Sequence, residues 1–213
     1  MYWLRNKDTG RYRKGYPLSG IARFFSLCLV LLLTMCTPPS KKGQGMFAVD
    51  SLLHAQANQL TRMHATLDKQ VVLGGSTEEI STVPNDTVTW LRELEIFTVM
   101  ESINKPVNRE QYKIEESKDK RSNLRIRSIS TAADLPVPYV NLYYYEKPSK
   151  IRKIEAAYSE TNGLYRTSRL LSMEFDNVNG LPVMTSYSIS GGQKMFMDDT
   201  VRYDIKGRVT IGN

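Results

Sequence analysis

The chain has 213 residues, 41% of them hydrophobic and 24% charged, with a formal net charge of +7. That length holds one ordinary domain and a leader rather than two full domains, and the balance excludes a wholly disordered chain. Six of the 29 basic residues but only one of the 22 acidic ones fall within residues 1–35, which leaves +2 on the remainder; nucleic-acid binding needs a basic stripe on the folded domain, so no nucleic acid is expected as a partner.

The first elements form a leader. Residues 1–23 are basic and polar, and "FFSLCLVLLLTM" (24–35) is an unbroken run of 12 apolar or small residues. A spanning helix needs about 20 apolar residues, whereas 12 suits the apolar region of a signal peptide. "TPPSKKGQG" follows at once and cannot continue a helix. Both cysteines, Cys28 and Cys36, lie in or at the end of this run. Once residues 1–35 are removed, no internal disulfide, cysteine nucleophile or cysteine-based metal site is available.

"LTMC" (33–36) resembles the lipobox of bacterial lipoproteins. Leu33, Thr34 and Cys36 match it, and Met35 stands where the family has Gly, Ala or Ser, closer to the looser lipoboxes of the Bacteroidota. The resemblance implies a signal peptide at 1–35, a diacylated thiol at Cys36 and a tether over 36–45, stiff at Pro38–Pro39 and loose at Gly43 and Gly45. Two or three acyl chains anchor a protein stably where one does not. Thr37 is not the aspartate of an inner-membrane retention signal, and no acidic cluster follows Cys36. The resemblance therefore implies a bacterial cell-envelope protein on the periplasmic face of the outer membrane. It covers the leader alone.

Residues 46–213 are expected to form a single α+β domain, with helices over 46–105 and a sheet over 110–213. "FAVDSLLHAQANQLTRMHATLDKQVV" has no Pro or Gly, and Leu53, Leu60 and Leu67 recur at sevens, which predicts one helix stopped by Gly74–Gly75. A second helix opens after Asp86 as N-cap. It places Trp90, Leu91, Leu94, Phe97 and Met100 near one face and ends at Lys105–Pro106.

Beyond residue 110 the period falls to two. Strands are expected at 124–130, 139–147, 150–160, 164–176, 182–190, 193–199 and 201–206, joined by the turns "PS", "TNG", "NVNG", "GG" and "KG". Leu171, Met173 and Phe175 face inward, as do Val183, Thr185, Tyr187 and Ile189, and Val201, Tyr203 and Ile205. The architecture expected is two N-terminal helices packed on a curved antiparallel meander of seven or eight strands. In architecture alone it resembles the open half-barrels of periplasmic lipoprotein carriers, which cradle an acyl chain between sheet and helices.

No catalytic motif emerges. His54 and His64 are ten residues apart and do not share a helical face, so both read as ordinary helix histidines. "DNVNG" (176–180) has the composition of a calcium loop and equally that of a hairpin turn. "SGGQK" (190–194) lacks the strand–loop–helix setting of a phosphate loop and reads as a turn. Glu115–Glu116 and Asp198–Asp199 are adjacent pairs, which strands send to opposite sides. Met173, Met184, Met195 and Met197 read as core filling or as the lining of a lipid pocket. Alternation sets Tyr143 and Tyr145 on one face as a candidate binding face, with cross-strand packing as the competing role.

The expected function is a non-enzymatic envelope lipoprotein held at the membrane by Cys36, with no metal or cofactor, whose domain binds an envelope protein or surface component. The alternative is a periplasmic carrier of a hydrophobic ligand.

Overall fold

The computed structural model describes residues 46–196 and 199–212. The leader, Cys36 and the tether lie outside the described residues. Helix α1 (Val49–Arg62) buries Val49, Leu53, Gln56, Ala57 and Leu60 along one stripe. It ends in a Schellman-type closure without glycine: the His64 N–H bonds the Thr61 carbonyl at 3.1 Å and the Ala65 N–H bonds that of Leu60 at 3.1 Å. His64 takes the left-handed conformation, at φ 47°.

The single long first helix is therefore corrected. Residues beyond the closure form β1 (Thr66–Leu73), and Gly74–Gly75, both at positive φ, turn it into β2 (Ser76–Thr82). Leu67 is still fully buried, but it points inward from a strand. The β-branched, alternating "TLDKQVVL" suits a pleated strand between two neighbours better than a further helical turn.

Asp86 does cap the next helix, α2 (Thr87–Leu94), accepting from the Thr89 N–H at 2.7 Å. The chain continues as a 3-10 helix (Glu95–Asn104) and a short α3 (Pro106–Arg109) opened by its proline. Then come β3 (Lys113–Lys118), β4 (Arg125–Ser130), β5 (Tyr139–Tyr144), β6 (Ile151–Thr161), β7 (Tyr165–Val178), β8 (Leu181–Met195) and β9 (Thr200–Thr210).

The strands form one nine-stranded antiparallel sheet in the order β2-β1-β9-β8-β7-β6-β5-β4-β3. Strands β3 to β9 are a meander, and the β1–β2 hairpin adds to the β9 edge, so the two ends of the domain pair with each other. The expected seven or eight strands are corrected to nine: β1 falls inside the expected first helix, β2 and β3 fall where no strand is expected, and the expected strands 182–190 and 193–199 are largely one strand, β8. Two expected turns are also corrected. Gly191–Gly192 lies inside the 15-residue β8, and Gly207 lies inside β9. At Gly191 a Cβ would stand 2.3 Å from the Ser168 carbonyl oxygen, so glycine there serves close strand approach.

Helices and sheet enclose the core on one face, called inner here. Trp90, Leu94, Phe97 and Met100 meet Leu171, Met173, Phe175, Tyr187 and Ile189, and the Phe97 ring meets Tyr187 edge-on with centroids 5.9 Å apart. A bulge opposite Glu174–Phe175 shifts the register of β8. It corrects the inward assignment of Thr185: Met184 pairs with Phe175 and is fully buried instead. Residues 45–213 form one compact unit with a hydrophobic core of its own, the property of a domain that can in principle fold alone. Among the described residues, no helix is long and apolar enough to cross a membrane.

Candidate functional site

Strand alternation gives the sheet a second, outer face, and cross-strand register arranges it in rows. One row runs Tyr143, Lys153, Glu174, Ser186, Arg208, Asp68, Ser81 across seven adjacent strands. The next runs Asn141, Glu155, Ser172, Ser188, Lys206, Gln70, Glu79. Where β7, β8, β9, β1 and β2 curve, these rows line a concavity of about 710 Å³. Its floor is the three serines Ser172, Ser186 and Ser188, and its walls carry Glu174, Asp68 and Glu79 beside Lys206 and Arg208. Small hydroxyls at the centre leave room for a ligand, and the charged walls offer both donors and acceptors.

Hydrogen bonds and ion pairs tie most of these groups to one another. The Ser186 hydroxyl donates to Glu174 at 3.2 Å, Ser81 donates to Asp68 at 2.7 Å, and the Gln70 amide donates to Glu79 at 3.3 Å. Lys206 pairs with Asp204 at 3.3 Å, while Arg208 has no ion pair among the described residues. At the margin, Lys153 binds Glu155 at 2.8 Å and the Tyr143 hydroxyl donates to the same carboxylate at 2.7 Å. Burial, followed by the Glu155 hydrogen bond, pushes the Tyr143 phenol up to about 12. Burial alone would raise the Glu155 carboxyl, but its bonds to Lys153 and Tyr143 together hold it below the ordinary range.

The serines on this floor have no histidine beside them. His54 lies on α1 within 3.7 Å of Asp50, and His64 closes the same helix; the structure does not bring either to the concavity. Among the described residues, no three His, Cys, Asp or Glu gather as a metal would need.

Tyr143 lies on the outer face at the edge of the rows. Tyr145 stands beyond the end of β5, with its ring 5.4 Å from the Lys150 ammonium. The strict alternation that joined the two tyrosines stops at Tyr144. "DNVNG" is the β7–β8 hairpin turn, with Asn179 and Gly180 at positive φ and the Gly180 N–H held by the Asn177 side chain at 2.7 Å. Met173 and Met184 are fully buried, Met195 is exposed, and Met197 lies outside the described residues.

Sequence reasoning missed the serine floor with Arg208 and Lys206. Each polar position was visible as the outward half of an alternation. Which positions face one another depends on register, and the terminal hairpin places Asp68 and Glu79 beside β9 across more than 120 residues of chain. Compared with models of known protein families, with curated proteins and with solved structures, the chain has no match.

Proposed function

We propose that this chain is a non-enzymatic envelope lipoprotein, anchored through Cys36, whose domain binds a polar envelope component on the outer face of its sheet. The observation that carries the binding part is the concavity with a serine floor and walls of both charge signs. Its acids are held by hydroxyls, amides or cations, and its serines lack a base, so it offers recognition groups rather than a nucleophile. The anchor rests on the leader and its "LTMC" motif.

Two measurements test the two parts separately. Metabolic labelling with an alkynyl fatty acid is expected to mark the wild type and not Cys36→Ser; an unlabelled wild type removes the anchor. A photo-crosslinking residue placed at Ser188 is expected to capture an envelope component that the same residue at Val107, on α3, does not. Equal capture at both positions removes the binding face. The carrier reading calls for an apolar cavity between helices and sheet. Trp90, Leu94, Phe97, Met100, Met173 and Met184 fill that layer at no more than 1% exposure, which favours the first reading. Lipid co-purifying with the domain, seen by mass spectrometry, would reverse the preference.

A further inference from the structure

At the end of the sheet where β6 turns into β7 and β8 into β9, the chain exposes large apolar side chains that no other described residue covers. Leu164 is 70% and Phe196 74% exposed, and the two turns are joined by the Phe196 N–H bonding the Leu164 carbonyl at 2.8 Å. Met195 is also exposed at this end, whereas the exposed Val201, opposite Gln193, and Leu73, opposite Tyr203, lie further along the sheet. Apolar residues scattered singly need no explanation, but a cluster at one end of a sheet marks an interaction surface.

Register sorts this end into layers. Outermost are Leu164 and Phe196. One residue inward, Tyr165 faces Met195, and one further inward Arg166 faces Lys194. Arg202 lies on β9 opposite Gly192, on the same face as that cationic pair. Arg166, Lys194 and Arg202 are exposed, and none has an ion pair among the described residues. The opposing charges among the described residues are Asp199, exposed beside Thr200, and Glu160, whose carboxylate accepts from Tyr165, with Asp198 outside the described residues.

With a rise of about 3.3 Å per residue, the order apolar, tyrosine, cation follows the order of a bilayer surface: acyl chain, interface, phosphate. A protein partner would not require that layering. The tyrosine layer is also held in place from behind. The Tyr165 hydroxyl donates to Glu160 at 2.9 Å, Tyr158 donates to the same carboxylate, and the Arg169 guanidinium lies over the Tyr158 ring while its Nε–H donates to the Tyr203 hydroxyl at 3.0 Å.

We propose that this end of the sheet is a membrane-contact site, inserting Leu164 and Phe196 at the surface of an anionic lipid layer while Arg166, Lys194 and Arg202 engage its phosphates. The site does not depend on the Cys36 anchor, and its test leaves the leader out. The compact unit 45–213, first confirmed as folded by circular dichroism, is sedimented with vesicles of equal parts phosphatidylglycerol and phosphatidylcholine, and with phosphatidylcholine alone. Binding is expected to the anionic vesicles and to weaken with salt. Leu164→Ser with Phe196→Ser is expected to lose roughly tenfold per residue, and Arg166→Ala with Lys194→Ala about fivefold per cation. Circular dichroism checks that each variant is folded.

No binding to anionic vesicles overturns the site, as does wild-type binding by both folded double variants. A dimer in lipid-free buffer that Phe196→Ser disperses also overturns it, because the surface would then belong to a second copy.

Discussion

Gly207 lies directly beneath the ring of Tyr187. The two are cross-strand partners on β9 and β8, and a Cβ at Gly207 would stand 2.1 Å from Tyr187 Cε1 and 2.3 Å from Cζ. Side-chain volume is absent there so that the ring can lie flat across the strand and reach the helices. Its hydroxyl donates to Glu93 on α2, which also holds Lys69 of β1 at 2.9 Å. Burial, followed by that carboxylate, raises the phenol far above its ordinary value. Gly207→Ala is expected to cost about 2 kcal/mol through overpacking. In a Tyr187→Ala background the same change should cost much less, with a coupling of roughly 1 kcal/mol or more in a urea double-mutant cycle. Simple additivity would show that the ring is not what requires glycine.

Gln56 joins α1 to the bulged end of β8. Its amide donates to the Pro182 carbonyl at 2.9 Å and accepts from the Met184 N–H at 2.8 Å, and the residue is 2% exposed. Gln56→Leu keeps the volume but leaves two buried backbone groups unpaired, each worth about 1 to 3 kcal/mol. The denaturation midpoint is expected to fall, and the Met184 amide to lose hydrogen-exchange protection before its neighbours. Unchanged exchange at Met184 would assign that bond no weight.

Asp86 gives the start of α2 a pH dependence. Its carboxyl lies below the usual carboxylate range, chiefly because it accepts the Thr89 backbone N–H and, next, the Thr89 hydroxyl. A carboxyl depressed in the folded state contributes stability above its unfolded pKa and loses it as pH falls through the folded one. Asp86→Ala is therefore expected to destabilise at neutral pH, and the gap to wild type should narrow in the acid range below about 4. Parallel stability curves over that range would remove Asp86 as the cap.

Tyr143 titrates late. Its folded pKa of about 12 stands above the ordinary 10, through burial first and Glu155 second. A group raised in this way contributes stability below its unfolded pKa and loses it as pH rises through the folded one. Absorbance of tyrosinate is expected to show a late component, near pH 12, that Tyr143→Phe reduces. Glu155→Gln should bring that component part of the way back, because burial remains after the charge is gone. Loss of a phenol from the ordinary component near pH 10, with the late component unchanged, would place Tyr143 in free solvent.

Local signals were read correctly where they are self-sufficient. Asp86 needs only its own helix start, the "NVNG" turn needs only two residues tolerating positive φ, and the alternation of Leu171, Met173 and Phe175 needs only the pleat. The failures share one cause. Leu53, Leu60 and Leu67 keep a seven-residue spacing across a helix end that His64, rather than glycine, closes. Gly191–Gly192 and Gly207 look like turns because glycine marks both a turn and a close approach, and the neighbour that separates the two is remote in sequence. The candidate site was legible only as scattered outward positions, since Ser188, Lys206 and Gln70 become neighbours through register alone.

The sequence by itself determined an α+β domain of one-sided antiparallel strands, because hydrophobic period and turn chemistry act within a few residues of chain. Tertiary structure alone decided that the terminal hairpin pairs with β9 and that the serine floor forms on the outer face. It also decided that Leu164, Tyr165 and Arg166 stack in layers against Phe196, Met195 and Lys194. Each of these is a pairing between distant segments. Pairing is set by which register buries the inner face against α1 and α2, a condition that no short stretch of sequence contains.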